Sequence, residues 1–303
     1  MSKNKEFKSG FIAILGRPNV GKSTILNGLI KQKVAIVTSK AQTTRNKIQG
    51  IDTTDTEQLI FIDTPGIHKA KNELGNVMNQ TAFSSLDGID VVLFVVDATQ
   101  KVGSGDLFIL ENLKKVKCPV LLVANKVDLM ENEEILKDNL ESYKESYNFD
   151  GGITLSASHG FNLDKLREMI VDRLSVGPMY YPSDQILDQP ERFVVSEIIR
   201  EKVLLLTEEE VPHSVAVTIE RFKEKPNGMI EINATIVCEK ASQKKIIIGK
   251  GGSKIKEIGT AARLDIVKFL NAKIYLEIFV KVEENWRNQK SHLKEFGYTI
   301  DNF

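Results

Sequence analysis

Residues 16–23 read Gly16-Arg17-Pro18-Asn19-Val20-Gly21-Lys22-Ser23. They follow the short apolar run Phe11-Ile12-Ala13-Ile14-Leu15 and precede Thr24-Ile25-Leu26-Asn27-Gly28-Leu29-Ile30, which has helical spacing. A strand that enters a glycine loop opening a helix aims backbone N–H groups and a helix N-terminus at one point, where anionic phosphate fits. Lys22 is placed to reach β- and γ-phosphates and the Ser23 hydroxyl to ligate Mg²⁺, with Thr24 next in the binding set. The loop therefore predicts a nucleoside triphosphate. It says nothing about the base or about what the energy drives.

From Phe11 to about Leu174, short apolar runs alternate with helix-like segments. Strands are expected over 11–15, 46–52, 58–63, 90–97, 119–125 and 152–155, and helices over 23–31, 73–86, 105–115, 132–146 and 162–174. The runs at 91–96 and 119–123 lack polar alternation, as strands buried on both faces do. The reading is an α/β fold, a doubly wound and mainly parallel sheet of the P-loop type, with ligands outside the carboxyl ends of its strands.

Asp63-Thr64-Pro65-Gly66 ends the run 58–63, where Asp63 would hold the metal through water and the Gly66 N–H would touch the γ-phosphate. Asn125-Lys126-Val127-Asp128 follows the run 119–125. The Asp128 carboxylate can accept two donors from a guanine edge that adenine lacks. Hydrogen bonds to a charged partner are worth about 1.5–3 kcal/mol each, so the base is expected to be guanine. Asn125 can bridge base and phosphate loop, the Lys126 stem can lie over the ring, and the Ser156 and Ala157 amides can meet the guanine carbonyl.

Thr38-Ser39-Lys40-Ala41-Gln42-Thr43-Thr44-Arg45 lies between the first helix and Asp63. A threonine here completes Mg²⁺ coordination when a γ-phosphate is present, which makes the loop a switch; Thr44 is preferred over Thr43. Ras-type enzymes carry a water-orienting glutamine after the Asp-x-x-Gly turn, but here the position is Ile67. Hydrolysis should then be slow or assisted. Asn19 is a candidate K⁺ ligand for that assistance; the alternative is that it only stabilises the turn. The catalytic set is Lys22, Thr44, Gly66 and Asn19, and the metal set Ser23, Thr44 and Asp63. Gln42, Arg45 and Lys47 are read as solvated.

Lys plus Arg (41) equals Asp plus Glu (41), so any attraction to nucleic acid must be local. Two distant cysteines, Cys118 and Cys238, and four scattered histidines suggest neither a disulfide framework nor a metal cluster. The apolar run after the basic N-terminus is too short for a secretory signal. No stretch approaches the ~18–20 apolar residues of a membrane span.

Residues 177–190 concentrate prolines and turn formers and read as a linker between a first domain (1–176) and an α+β second domain (191–303). The second pattern is helix 191–206, strands 214–223 and 229–239 joined by Lys225-Pro226-Asn227-Gly228, helical segments 242–248 and 252–270, strand 273–282, and a short helical tail. Six lysines and no acidic residue lie between Lys240 and Lys256. Gly249-Lys250-Gly251-Gly252 fits the Gly-x-x-Gly loop with which KH domains clamp single strands, and the element order is that of the type II KH fold. The expected RNA contacts are Lys244, Lys245, Ile248, Gly249, Lys250, Gly251, Gly252, Lys254 and Lys256.

Together with Ala41-Gln42-Thr43-Thr44-Arg45 and Ser196-Glu197-Ile198-Ile199-Arg200-Glu201-Lys202, these motifs closely resemble the bacterial Era-type GTPases over essentially the whole length. The resemblance implies a monomeric GTPase of small-subunit ribosome assembly that binds GTP and GDP. Its KH domain would bind the 30S precursor near the 3′ end of the small-subunit ribosomal RNA. It also implies a cytoplasmic location, with a fraction bound peripherally to the inner membrane face. Gly251 departs from the family, where that loop position is often basic. Two rivals stay open: a binding module whose nucleotide is only structural, and a membrane-associated regulator without an RNA target.

Overall fold

A computed structural model describes residues 6–40 and 42–299; Ala41 of the quoted motif and the first five residues lie outside them. The chain forms two compact units. The first comprises Met1–Ala35, Thr44–Lys71 and Gly75–Asp188, the second Ile36–Thr43, Asn72–Leu74 and Gln189–Phe303.

The first unit holds β1 (Lys8–Gly16), α1 (Lys22–Ile30), β2 (Ile48–Thr53), β3 (Glu57–Asp63), α2 (Glu73–Ser84) and β4 (Val91–Asp97). These are followed by α3 (Ser104–Leu113), β5 (Val120–Asn125), α4 (Glu133–Ser146), β6 (Gly151–Thr154) and α5 (Leu163–Val171). The sheet order is β2-β3-β1-β4-β5-β6, with β2 antiparallel to β3 and every other pair parallel. β5 is buried along its whole length and β4 up to Val96, as unbroken apolar runs require. Because the order reverses beside β1, the loops after β1, β3 and β5 open at one end of the sheet.

The stretch read as a linker is bound to this unit as far as Asp188. Gln58 accepts the Tyr180 and Tyr181 N–H groups on its Oε1 and donates to the Tyr181 carbonyl. Farther on, Ile51 N–H donates to Ile186, Asp188 N–H donates to Gln49, and Gly50 bridges to Leu187. Prolines prevent a regular strand here, yet the segment finds partners along β2. It is a strap.

The second unit contains α6 (Glu191–Leu206), β7 (Ala216–Glu224), β8 (Ile230–Cys238), α7 (Ala241–Ile248), α8 (Ser253–Leu270), β9 (Ile274–Val282) and α9 (Lys290–Glu295). β7 and β8 form the expected hairpin, with Gly228 in the left-handed region at φ 73°, and β9 runs parallel to β8. Trp286 is fully buried, stacked on Tyr298, with its indole N–H on the Ser214 carbonyl. Among the described residues, no helix is long and apolar enough to cross a membrane.

Candidate functional site

The phosphate loop is built as its sequence predicts, with its lysine folded inward. Gly21 takes φ 99° just before α1, and Asn19, exposed, takes φ 64°. Lys22 is buried, and its Nζ donates to the carbonyls of Gly16 (3.2 Å) and Arg17 (2.9 Å). Burial brings its pKa down to about 8, against the opposing pull of Asp63.

Asp63 ends β3 with no exposure at all. Its Oδ2 accepts from Ser23 Oγ at 2.6 Å and from Thr44 Oγ1 at 3.4 Å, and the two hydroxyl oxygens lie 2.9 Å apart. Its Oδ1 is buried without a hydrogen-bond partner among the described residues. Burial pushes the carboxyl up to about 6, although Lys22, both hydroxyls and the Thr64 backbone favour its charged form. Two hydroxyl oxygens meeting on Asp63 Oδ2, with Oδ1 of the same buried carboxylate unmatched, fit a hard, oxygen-seeking cation. Among the described residues, no group of three or more His, Cys, Asp or Glu side chains could hold a metal. A cation bound by one carboxylate and two hydroxyls leaves most of its positions to phosphate and water, which suits Mg²⁺. Thr43 is turned away from this cluster: its hydroxyl meets Thr38 Oγ1 and donates to the Lys40 carbonyl, each at 2.7 Å.

Thr64, Pro65 and Gly66 are buried, and Thr64 Oγ1 donates to the Ile14 carbonyl. A Cβ on Gly66 would lie 2.7 Å from the Pro18 backbone, so the turn fits against the phosphate loop only as glycine. Ile67 is a core residue, 1% exposed, and its N–H donates to the Gly16 carbonyl. The residue beside it was missed in the sequence: His68 Nδ1 meets the Gly66 carbonyl at 2.9 Å. Arg45, read as solvated, is 2% exposed; the loop folds it inward.

At the next loop, Asn125 links two motifs. Its Nδ2 donates to the Val20 carbonyl (2.8 Å), and its Oδ1 accepts the Ala157 N–H (3.0 Å). The Ser156 N–H goes to Phe161 and the Val127 N–H to Leu155. The Ser156 and Ala157 amides, read as open to a base, are thus already engaged, because the β6 loop closes on itself and on Asn125. Lys126 is held by Asp97 at 2.7 Å. Burial alone would raise Asp97, but Lys126 and Thr99 keep it below the usual carboxylate range. Asp128 Oδ2 stands 3.7 Å from His159 Nδ1. The sequence reading also missed Asp106, which is 1% exposed and pairs with Arg17 at 3.2 Å. The signal for Asp97 was its register: it ends β4 opposite Asn125 on β5.

The second unit's glycine loop is the opposite case. Gly249 (φ 74°) has no room for a side chain, since a Cβ there would lie 2.7 Å from Lys254 Cβ and 2.8 Å from its backbone nitrogen. Gly251 and Gly252, at φ 60° and 78°, would meet nothing within 4 Å. Lys245, Lys250 and Lys256 are exposed; Lys244, Ile248 and Lys254 are half-buried, and Lys254 pairs with Glu257 at 2.8 Å. Open backbone ringed by lysines is a surface for an extended polyanion.

Comparisons with known proteins match both units. The family described as "50S ribosome-binding GTPase" matches residues 11–126, and the KH domain family residues 210–287. A crystal structure of an Aquifex aeolicus Era variant bound to GDP and AlF4⁻ is 39% identical, with a TM-score of 0.92 over 97% of this chain and 100% of its own. A structure of Era in complex with MgGDPNP and nucleotides 1506–1542 of 16S ribosomal RNA is also 39% identical. Its TM-score is 0.93 over 97% of this chain and 99% of its own.

Proposed function

The chain belongs to the Era family of GTPases, and on that premise we propose that it is a GTP-hydrolysing switch coupled to RNA held at the Gly249–Gly252 loop. It acts in small-subunit ribosome assembly, near the 3′ end of the small-subunit ribosomal RNA. The observation that carries the reading is the meeting of the Ser23 and Thr44 hydroxyls on Asp63 Oδ2, while Oδ1 of the same buried carboxylate is left unmatched. The relative's complex with ribosomal RNA supports the RNA half.

When nucleotide binds, Lys22 gives up the Gly16 and Arg17 carbonyls for β- and γ-phosphate oxygens. Ser23, Thr44 and, through water, Asp63 hold Mg²⁺, which supplies positive charge to those oxygens. The Gly66 N–H meets the γ-phosphate. Asp128 accepts from the guanine edge, with Asn125, the Lys126 stem and the Ser156–Ala157 turn around the base. Water attacks the γ-phosphorus as its bond to the bridging oxygen breaks, giving GDP and phosphate. Ile67, locked in the core, offers no group to orient that water, so unassisted turnover is slow. Asn19, exposed in the loop, is the candidate ligand for K⁺, which supplies charge where other GTPases use an arginine.

The RNA contacts are Lys244, Lys245, Ile248, Gly249, Lys250, Gly251, Gly252, Lys254 and Lys256. On family grounds the protein works as a monomer in the cytoplasm, with a fraction bound peripherally at the inner membrane face. Multiple-turnover phosphate release from GTP with Mg²⁺ tests the enzymatic half, and equal rates in K⁺ and Na⁺ would remove the role given to Asn19. Crosslinking in cells with and without Gly252→Asp tests the RNA half; unchanged RNA recovery would favour a regulator without an RNA target.

A further inference from the structure

Arg17 is the second residue of the phosphate loop, and its backbone and side chain serve different partners. Its carbonyl accepts Lys22 Nζ at 2.9 Å. Its guanidinium leaves the loop for α3, where Nη1 reaches Asp106 Oδ2 at 3.2 Å and, just ahead of the helix, Gln100 Oε1 at 3.4 Å. The first turn of α3 is cut back to receive it: a Cβ on Gly105 would lie 3.3 Å from Arg17 Cδ.

Asp106 is an unusual group to bury at a helix start. It is 1% exposed, and its Oδ2 also accepts the Gly103 N–H at 3.0 Å, which closes the first turn. A serine or asparagine cap would satisfy that turn without taking a charge out of water, which costs several kcal/mol unless a cation answers it. Arg17 is the cation, its side chain 38% exposed against 1% for the carboxylate. Tyr143 of α4, buried beside the pair, is pushed above the ordinary phenol range by burial first and then by Asp106, so it stays neutral there. The helix holds the carboxylate, and the carboxylate holds the arginine.

When nucleotide arrives, Lys22 leaves the Arg17 carbonyl for phosphate oxygens, and the loop loses a bond that closes it. The side-chain clamp does not involve Lys22 and persists. We infer that Asp106 is a positioning residue for the phosphate loop: through Arg17 it pins the loop to α3, so that the loop N–H groups keep their arrangement for a β-phosphate once Lys22 has moved. This rests on the GTPase reading above. GDP and GTP both carry a β-phosphate, so this pre-organisation serves both alike.

The test uses the full chain with a fluorescent GDP and a fluorescent non-hydrolysable GTP analogue, beside the melting temperature of the nucleotide-free protein. Arg17→Ala should weaken both nucleotides about tenfold, and Arg17→Lys, which keeps a charge for Asp106, should recover most of the loss. Asp106→Asn keeps an acceptor for Gly103 and should also weaken both. The double variant Arg17→Ala/Asp106→Asn should bind no more weakly than the weaker single variant, because the two residues act as one clamp. It also removes the unpaired buried charge that Arg17→Ala leaves. If Arg17→Ala does not fold, the double variant and Asp106→Asn alone should therefore bind equally. Losses that multiply in the double variant, a lower melting temperature with both affinities within about twofold, or a loss confined to one nucleotide overturn the proposal. A wild type that binds neither nucleotide would instead overturn the GTPase reading beneath it.

Discussion

The two glycine loops both face phosphate, and they are built in opposite ways. The loop at Gly16–Ser23 is closed, with a buried lysine on its own carbonyls and a buried carboxylate driven toward neutrality. The loop at Gly249–Gly252 is open, with Gly251 and Gly252 in the left-handed region facing empty space and Lys245, Lys250 and Lys256 exposed. A closed site pre-arranges unsatisfied polar atoms, so a ligand that matches them gains much and a near miss gains little. An open site gains from counterion release and close backbone approach, so it tolerates many sequences and weakens with salt. The first kind suits one small molecule; the second suits a polymer.

That contrast can be broken at several points. The largest effect is expected at the closed site, from Asp128→Asn. It should cost guanine nucleotides about a thousandfold in affinity and transfer preference to xanthine nucleotides, as read by competition binding. Retained guanine selectivity would mean that the base lies elsewhere. Next comes Gly249→Ala, where the added methyl meets the Lys254 backbone. The loop must shift, and single-stranded RNA affinity should fall about ten- to hundredfold while nucleotide affinity is untouched. Lys250→Ala, at the open loop, should cost RNA only a few-fold and lower the slope of log affinity against log salt by about 0.7. A loss independent of salt would show that the open loop reads bases rather than phosphate charge.

The smallest effect is a fraction of a proton, and its sign changes with pH. Asp63 is raised to about 6 and must ionise to serve the metal, so Mg²⁺–nucleotide binding should release protons near pH 6. Lys22 is lowered to about 8 and gains its charge beside phosphate, so binding should take up protons near pH 8. Calorimetry in buffers of different ionisation enthalpy would read both. The same shifts act on folding without ligand. The raised Asp63 stabilises fully below about pH 3.8 and loses that contribution as pH rises through about 6. The lowered Lys22 stabilises above about 10.5 and loses it as pH falls through about 8.

Much of this was legible in the chain because each element repeats one local rule. β4 and β5 show as unbroken apolar runs, the 16–23 loop as glycines between strand and helix, and α6 at the expected 191–206. The residues that escaped are charged or polar ones whose partners are distant in sequence. A lone arginine on a helix reads as solvated, so buried Arg200 was invisible until Glu197 and Thr43 were seen around it. Asp106 gave no hint of Arg17, nor Gln58 of Tyr180 and Tyr181, because nothing local requires those pairs. Thr44 could be preferred over Thr43 but not separated from it until the hydroxyls were placed.

The strap along β2 decides where this chain can be cut. β2 is an outer strand, and residues 186–188 occupy backbone groups that would otherwise be bare. A fragment ending at 176, where composition suggests a boundary, would leave a strand edge able to recruit other chains and would precipitate. A fragment carried through Asp188 keeps that edge covered and should stay in solution. The boundary between the two units therefore lies at Asp188–Gln189, just ahead of Pro190, rather than at Gly177.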